Sequence, residues 1–425
     1  MTPVEAAVLR EARRDPRLDF FRGLGMFIIL IAHIPWNTWS GWIPARFGYS
    51  DATEIFVFCS GAASALAFYK IFEARGWWIG TARVAYRIWQ LYWCHIAMFF
   101  ATLAALMMVN RWLPGAERDY VGALNLRRFV EDPEAFLPSL FWLGYIPNYF
   151  DILVMYMVIL ALMPVVVLLS TFRAPGSRPW LAMGFCVALW ALAGQPWLAF
   201  LDVPVFTGLN LPAEPVGNPR TWFFNPFCWQ LVFFTGFAFT LGWLPAPPTK
   251  WWLILLCLSV VLVSVVLDPD GSPARRFFAA RPELAPIWER IGAFKASVGP
   301  LQSKTFFGLF RYLHFLALAY LVWIAAGDNG RRLPKTGLLG GLVTVIRRVG
   351  QQALAVFIFS LVIARLLGVA ILESGEDIRV IALMNLLGFA LLIAVAYTAR
   401  WFKSNPWRVA PKAPGLDRTA ETART

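Results

Sequence analysis

The sequence predicts an all-α, polytopic integral membrane protein with about ten transmembrane helices, and three observations carry that prediction. Of 425 residues, 59% are hydrophobic and only 15% are charged, with a mean hydropathy of +0.60, well outside soluble composition. Apolar runs long enough to cross about 30 Å of hydrocarbon recur along the chain. The 21 Trp and 36 Phe include Trp36, Trp39 and Trp42, crowded where the first span leaves the bilayer, as an aromatic belt requires.

The expected spans are residues 20–42, 51–72, 83–109, 152–170, 180–200, 227–244, 251–267, 306–326, 351–372 and 380–402, with boundaries good to a few residues. Basic residues concentrate on alternate connections. Arg10, Arg13, Arg14 and Arg17 precede the first span; Lys70, Arg75 and Arg83 follow the second; Arg331, Arg332, Lys335, Arg347 and Arg348 precede the ninth. The short opposite loops carry only Arg46, Arg220 and Arg379, so the positive-inside rule puts both termini in the cytoplasm. The net charge of +13 follows from this distribution and calls for no nucleic acid. The N-terminus shows no short apolar core followed by a small-residue cleavage site, so the first span is expected to be the anchor. Three regions result: a cytoplasmic segment 1–19, a transmembrane domain 20–402, and a tail 403–425 rich in Pro, Ala, Thr and charge that is expected to be disordered. Two long connections, 110–151 and 268–305, face away from the cytoplasm; the first is apolar enough to lie on the membrane and the second has an amphipathic pattern. The absence of an internal repeat argues against the inverted halves of many transporters. All five cysteines lie in apolar segments without a CxxC pair, which reads as buried free thiols.

The chemistry is expected to centre on the first span, RLDFFRGLGMFIILIAHIPW. A histidine inside an apolar run is costly, and ionisable groups at membrane depth are functional by default. At helical spacing Asp19, Arg22, Met26, Ile29 or Leu30, and His33 share one face. Arg22 and His33 are roughly 16 Å apart along the axis, suited to the two ends of an extended acyl thioester. The second span opens SDATEIFVFCSG, where Asp51 or Glu54 can orient and charge-balance His33 as a general base; Asp51 also fits a simple helix cap. The small run SGAASALA that follows allows close helix packing. The third span opens RVAYRIWQLYW. Its Arg83 and Arg87, together with Arg17 and Arg22, form a basic cytoplasmic mouth for the phosphates of a nucleotide-like ligand, or else anchors for anionic headgroups.

Polar and aromatic residues near the opposite openings have the composition of a sugar site. Asn148, Asp151 and Tyr156 mark the fourth span, and Asn225, Trp229 and Gln230 the sixth. His95 and His314 either line the same cavity or pack. GLGMFI at Gly23 lacks the third glycine and the βαβ setting of a dinucleotide fingerprint, and no P-loop, zinc spacing or GxSxG is present.

RLDFFRG with a histidine fourteen residues after its aspartate, SDATEIFVFCSG and the paired arginines of RVAYRIWQLYW together resemble the OpgC family of osmoregulated periplasmic glucan succinyltransferases. YIPNYFDILVMYMVILALMP, WFFNPFCWQLVFFTG, FRYLHFLALAY and GQQALAVF extend the resemblance over most of the membrane region. It is similar in turn to the wider group of membrane acyltransferases that modify carbohydrates. The resemblance implies a catalytic His33, donor binding by Arg17 and Arg22, a cytoplasmic acyl-CoA donor with no permanently bound cofactor or metal, and a periplasmic glucan acceptor at a Gram-negative inner membrane; a homo-oligomer is compatible with it. The motif carries Ala32 where many relatives have an acidic residue, which moves the pairing of His33 onto Asp51, Glu54 or Asp151. Direct transfer by His33 as general base and a two-step route through an acyl-histidine are both open. The alternatives are an acetyltransferase acting on another envelope polysaccharide, a proton-coupled transporter, and a purely structural subunit.

Overall fold

The computed structural model describes residues 15–113, 119–174, 177–194, 209–214, 220–268 and 272–407. The described part is helical, with a single isolated antiparallel bridge between Pro212 and Thr221. The main helices are α1 (Pro16–His33), α2 (Ala52–Ser64), α3 (Lys70–Trp112), α4 (Asp151–Thr171), α5 (Trp180–Leu192) and α6 (Pro226–Thr240). They continue with α7 (Trp251–Leu267), α8 (Leu309–Ala326), α9 (Gly337–Gln351), α10 (Ala353–Glu373) and α11 (Ile378–Lys403). Short helices Arg127–Glu131, Pro133–Phe141, Ser272–Ala279 and Ala285–Ser297 lie in the two long connections.

Local chemistry sets the helix ends. α1 starts on the Asp15 side chain, which accepts from the Arg17 N–H, with Pro16 in the first turn, where its missing donor costs nothing. α2 starts in a full capping box, Asp51 accepting at its side chain while Glu54 reaches back to the Asp51 N–H, so two otherwise orphaned donors are satisfied reciprocally. A π-helical turn, Ala65–Tyr69, joins α2 to α3, and Gly76 breaks α3 near its start with φ 82° and ψ 172°. A side chain at that φ would be strained.

By length and composition, five helical stretches among the described residues can cross a membrane: Ala52–Trp112, Asp151–Thr171, Leu309–Ala326, Ala353–Glu373 and Ile378–Lys403. Trp180–Leu192, Pro226–Thr240 and Trp251–Leu267 are shorter apolar helices. Each expected span contains a helix, but three details differ. The first helix stops at His33 rather than running to 42, because Ile34 precedes Pro35 and takes an extended ψ of 112°, as a residue before proline must. His33 is therefore the last residue of α1, not a residue two turns inside it. The expected span 180–200 ends as a helix at Leu192, and residues 195–200 lie outside the described part, as do 1–14 and 408–425 of the two termini. The third is α9, which sequence hydropathy passes over because Arg347, Arg348 and several glycines dilute its apolar face.

Close approach of backbones holds the helices together. A Cβ on Gly23 of α1 would overlap the Ile346 carbonyl of α9, and one on Gly350 of α9 would overlap the Asp19 carbonyl of α1. The same reciprocity joins α2 to α6, where Gly61 faces the Phe233 carbonyl and Gly236 the Phe58 carbonyl. In lipid, where the hydrophobic effect between helices is absent, such small-residue seams supply the packing energy. The continuous core they bound includes Met26, Leu30, Phe233 and Phe237, all fully buried.

Gly61→Ala is expected to destabilise the protein by about 1–3 kcal/mol through overpacking, with Gly184→Ala, where nothing lies within 4 Å of the added carbon, as the neutral reference. Denaturant titration of detergent-purified protein reads the difference, and equal stability of the two variants would remove the seam.

Candidate active site

The C-terminal end of α1, the N-terminal ends of α2, α4 and α8, and the middle of α10 converge around His33. The imidazole is half-buried. Its Nδ1 lies 2.7 Å from the Ile29 carbonyl one turn back. A carbonyl only accepts, so the neutral ring carries its proton on Nδ1 and keeps the lone pair on Nε2. Tyr149, in the loop that enters α4, meets the ring edge-on at 5.1 Å between centroids. On its own ring Tyr149 carries the Arg365 guanidinium, with Cζ 3.9 Å from the centroid. Tyr149 is 43% exposed, so the group opens outward at this point.

Beside this group sits a lattice of buried charge. Glu54 is fully buried; it accepts from the Asp51 N–H at 2.7 Å and from Arg311 Nη1 of α8 at 2.8 Å. Arg311 also donates to the Tyr49 carbonyl. Asp51 accepts from the Thr53 N–H at 2.6 Å and pairs with Lys304. One turn beyond Arg311, His314 Nδ1 accepts from the Ser50 N–H at 3.2 Å and lies 2.8 Å from the Ser50 hydroxyl, so its proton resides on Nε2. A Cβ on Gly48 would collide with that ring. Gly48, Tyr49 and Ser50 are thus gripped from α8, and Asp51 by Lys304, just before that helix.

These contacts revise the expected partnership of His33. Neither Asp51 nor Glu54 hydrogen-bonds it; both carboxylates are taken by cations from elsewhere in the chain, and backbone fixes the imidazole. Asp51, Lys304 and Arg365 act on the ring through space. Lys304, Arg311, Arg365 and Tyr149 were not singled out by sequence, although Arg311 stands one helical turn before His314 in FRYLHF and was the member with a readable signal.

The four arginines expected at the donor mouth have different settings. Arg17 pairs with Asp15 at 2.7 Å, donates to the Gly327 carbonyl at 2.9 Å and lies over the Trp323 ring, fastening α1 to the end of α8. Arg22 donates to the Cys59 carbonyl of α2 at 2.9 Å. On α3, Arg83 is exposed beside the Phe68 and Tyr86 rings, and Arg87 donates to Gln90 at 3.1 Å.

The residues expected to hold sugar fall into two layers. Asn148 is exposed next to Tyr149 and accepts from Arg220 at 3.0 Å; Asp151, one turn on, accepts from the Phe223 N–H at 3.2 Å. Arg220 continues into a charged cleft lined by Asp119, Asn125, Arg127, Arg128 and Glu214, in which Glu214 accepts from Arg128 at 2.8 Å. Burial alone would raise the Asp119 carboxyl, but Arg127, then Asn110 and the Gly122 N–H, hold it below the usual carboxylate range. Deeper in, Tyr156 lies 3.3 Å from the Ser64 hydroxyl. Asn225, Trp229 and Gln230 are fully buried and bond to backbone: Asn225 caps α6 and donates to Leu209, Gln230 donates to Cys186, and Trp229 donates to the Lys304 carbonyl. That last bond, 2.9 Å long, fixes the segment that brings Lys304 to Asp51.

A family model described as OpgC protein matches residues 14–404, a span that contains His33, Glu54, Tyr149, Lys304, Arg311 and Arg365. Comparison with curated proteins and with solved structures returns no match.

Removing one partner of a buried ion pair strands the other charge, so Arg311→Met is expected to cost about 3–5 kcal/mol. The double variant Glu54→Gln with Arg311→Met should recover much of that loss. The four corners of the cycle, read by denaturant titration in detergent, check the coupling; additive losses would show that the pair does not hold α2 to α8.

Proposed function

The chain belongs to the OpgC family, and from that premise we propose that it is a membrane acyltransferase moving a succinyl group from cytoplasmic succinyl-CoA to hydroxyls of a periplasmic glucan. The observation that carries the reading is the His33 imidazole, half-buried, held by backbone at Nδ1 and left with its basic nitrogen at Nε2. In this mechanism Nε2 takes the proton from a sugar hydroxyl, and the oxygen attacks the thioester carbonyl. The C–O ester bond forms, the C–S bond breaks, and the proton passes from the imidazole to the departing thiolate.

The acceptor enters from the side on which Tyr149, Asn148 and Asp151 stand, with sugar hydroxyls exchanging for the bonds that Asn148 makes to Arg220. The donor enters from the opposite end of α1, its phosphates held by Arg22, Arg83 and Arg87 in charge-assisted hydrogen bonds, while Arg17 positions α1 against α8. This topology makes α1 to α8, α10 and α11 the ten passes, leaves α9 beside α1, and puts both termini in the cytoplasm of a bacterial inner membrane. The bilayer, the acyl donor and the glucan are then the partners of the chain.

Purified protein incubated with labelled succinyl-CoA and periplasmic glucan is expected to label the glucan. His33→Ala should reduce transfer by roughly 10²–10⁴-fold, the usual contribution of a positioned general base. Undiminished transfer by the variant would overturn the reading. Label on the protein in the absence of glucan would replace direct attack by an acyl-histidine route.

A further inference from the structure

Most of the cations described above have a carboxylate partner among the described residues, and Arg365 has none. Lys304 is paired with Asp51 and Arg311 with Glu54; further out, Arg128 and Arg220 share Glu214, and Arg17 has Asp15. Arg365 is 9% exposed, and among the described residues no carboxylate pairs with it. Its Nη2 is buried without a hydrogen-bond partner. The Tyr149 ring beneath it offers a cation–π contact, which offsets only part of the cost of burying an ion. Among the described residues Arg365 is therefore a buried cation with no carboxylate partner and one unpartnered nitrogen, set against the same tyrosine that meets the imidazole. Guanidinium forks match carboxylates in shape and charge.

We propose that Arg365 selects the acyl group, its guanidinium binding the terminal carboxylate of a short dicarboxylic acyl donor while the thioester end lies at His33. The assignment rests on the acyltransferase reading and names the chemical class of its donor. Tyr149 touches both the imidazole and the guanidinium, so the two groups flank the same ring and one short ligand can meet both. A succinyl chain sets three C–C bonds of about 1.5 Å each between its carboxylate and the reacting carbonyl carbon. A neutral acyl group would leave the Arg365 charge uncompensated in the loaded site. A phosphate of the coenzyme is the other anion this guanidinium could hold, and the donor comparison separates the two, because every acyl-CoA carries the same phosphates.

The test compares succinyl-CoA with butyryl-CoA, equal in chain length but lacking the carboxylate, in wild type, Arg365→Met and Arg365→Lys. Wild type is expected to prefer the succinyl donor. Arg365→Met should lower the succinyl-to-butyryl ratio of kcat/KM by tenfold or more, and Arg365→Lys, which keeps the charge without the fork, should fall between. A loss shared equally by both donors, or an unchanged ratio, overturns the assignment. A second arm is independent of catalysis: millimolar succinate should raise the melting temperature of wild type more than butyrate does, and this difference should vanish in Arg365→Met. If wild type transfers neither acyl group to glucan, the acyltransferase reading fails, and the melting shift alone then decides whether Arg365 binds a carboxylate. Removing an unpaired buried charge should leave the Arg365→Met fold at least as stable as wild type, and an unfolded variant would itself overturn the proposal by showing that the charge is already compensated within the protein.

Discussion

The ion pair between Glu54 and Arg311 is the constraint on which the site depends. Two charges are withdrawn from water between α2 and α8, at a desolvation cost that their mutual attraction repays only with good geometry and further hydrogen bonds. Those bonds are present: Glu54 also takes the Asp51 N–H, and Arg311 also donates to the Tyr49 carbonyl. The pair is thereby locked to the backbone of the segment that precedes α2. Lys304 on Asp51 and His314 on Ser50 complete the grip, and the turn has one available position relative to the end of α1. Apolar residues in place of a buried ion pair are often as stable, but they would not bond to the backbone of that turn.

Much of this was readable from residues close in sequence, and little of it from residues far apart. The capping box of Asp51 and Glu54 is a local pattern, three residues long, and it is found as such. His33 is legible because an ionisable side chain in an apolar run has few explanations. What lies across from them is invisible in one dimension: Glu54 and Arg311 are separated by 257 positions, and nothing in either neighbourhood names the other. The structure shows no hydrogen bond from His33 to Asp51 or Glu54, and the reason is physical. The carboxylates were closer to stronger partners, and the end of a helix already supplied the imidazole with an acceptor in the Ile29 carbonyl.

The fold itself shows the same division. Hydropathy places a helix in every expected span, yet the helix ends and α9 needed other information. Pro35 ends α1 through its effect on Ile34, a stronger local rule than the apolar run that continues past it. Gly23, which looks like a piece of a nucleotide-binding loop, is a contact point where α9 crosses α1. α9 lacks a clear apolar run because Arg347, Arg348 and its glycines interrupt it. Its buried face, with Ile346, Val349 and Gly350, lies on α1, while Leu338, Leu339 and Leu342 are exposed.

The three histidines show why burial alone does not make a reactive group. His95 is wholly buried, with both ring nitrogens unpartnered among the described residues and an edge against Phe150. His314 has spent Nδ1 on Ser50, and its Nε2 is buried against Gly48, so its ring serves to hold a turn. His33 alone among them combines a fixed tautomer, partial exposure and an aromatic neighbour that reaches the surface. A general base must be held still and yet be reachable, and a helix terminus meets both demands. The last turn of α1 supplies the fixing carbonyl, and the break imposed by Pro35 stops the helix before the next turn can cover the ring.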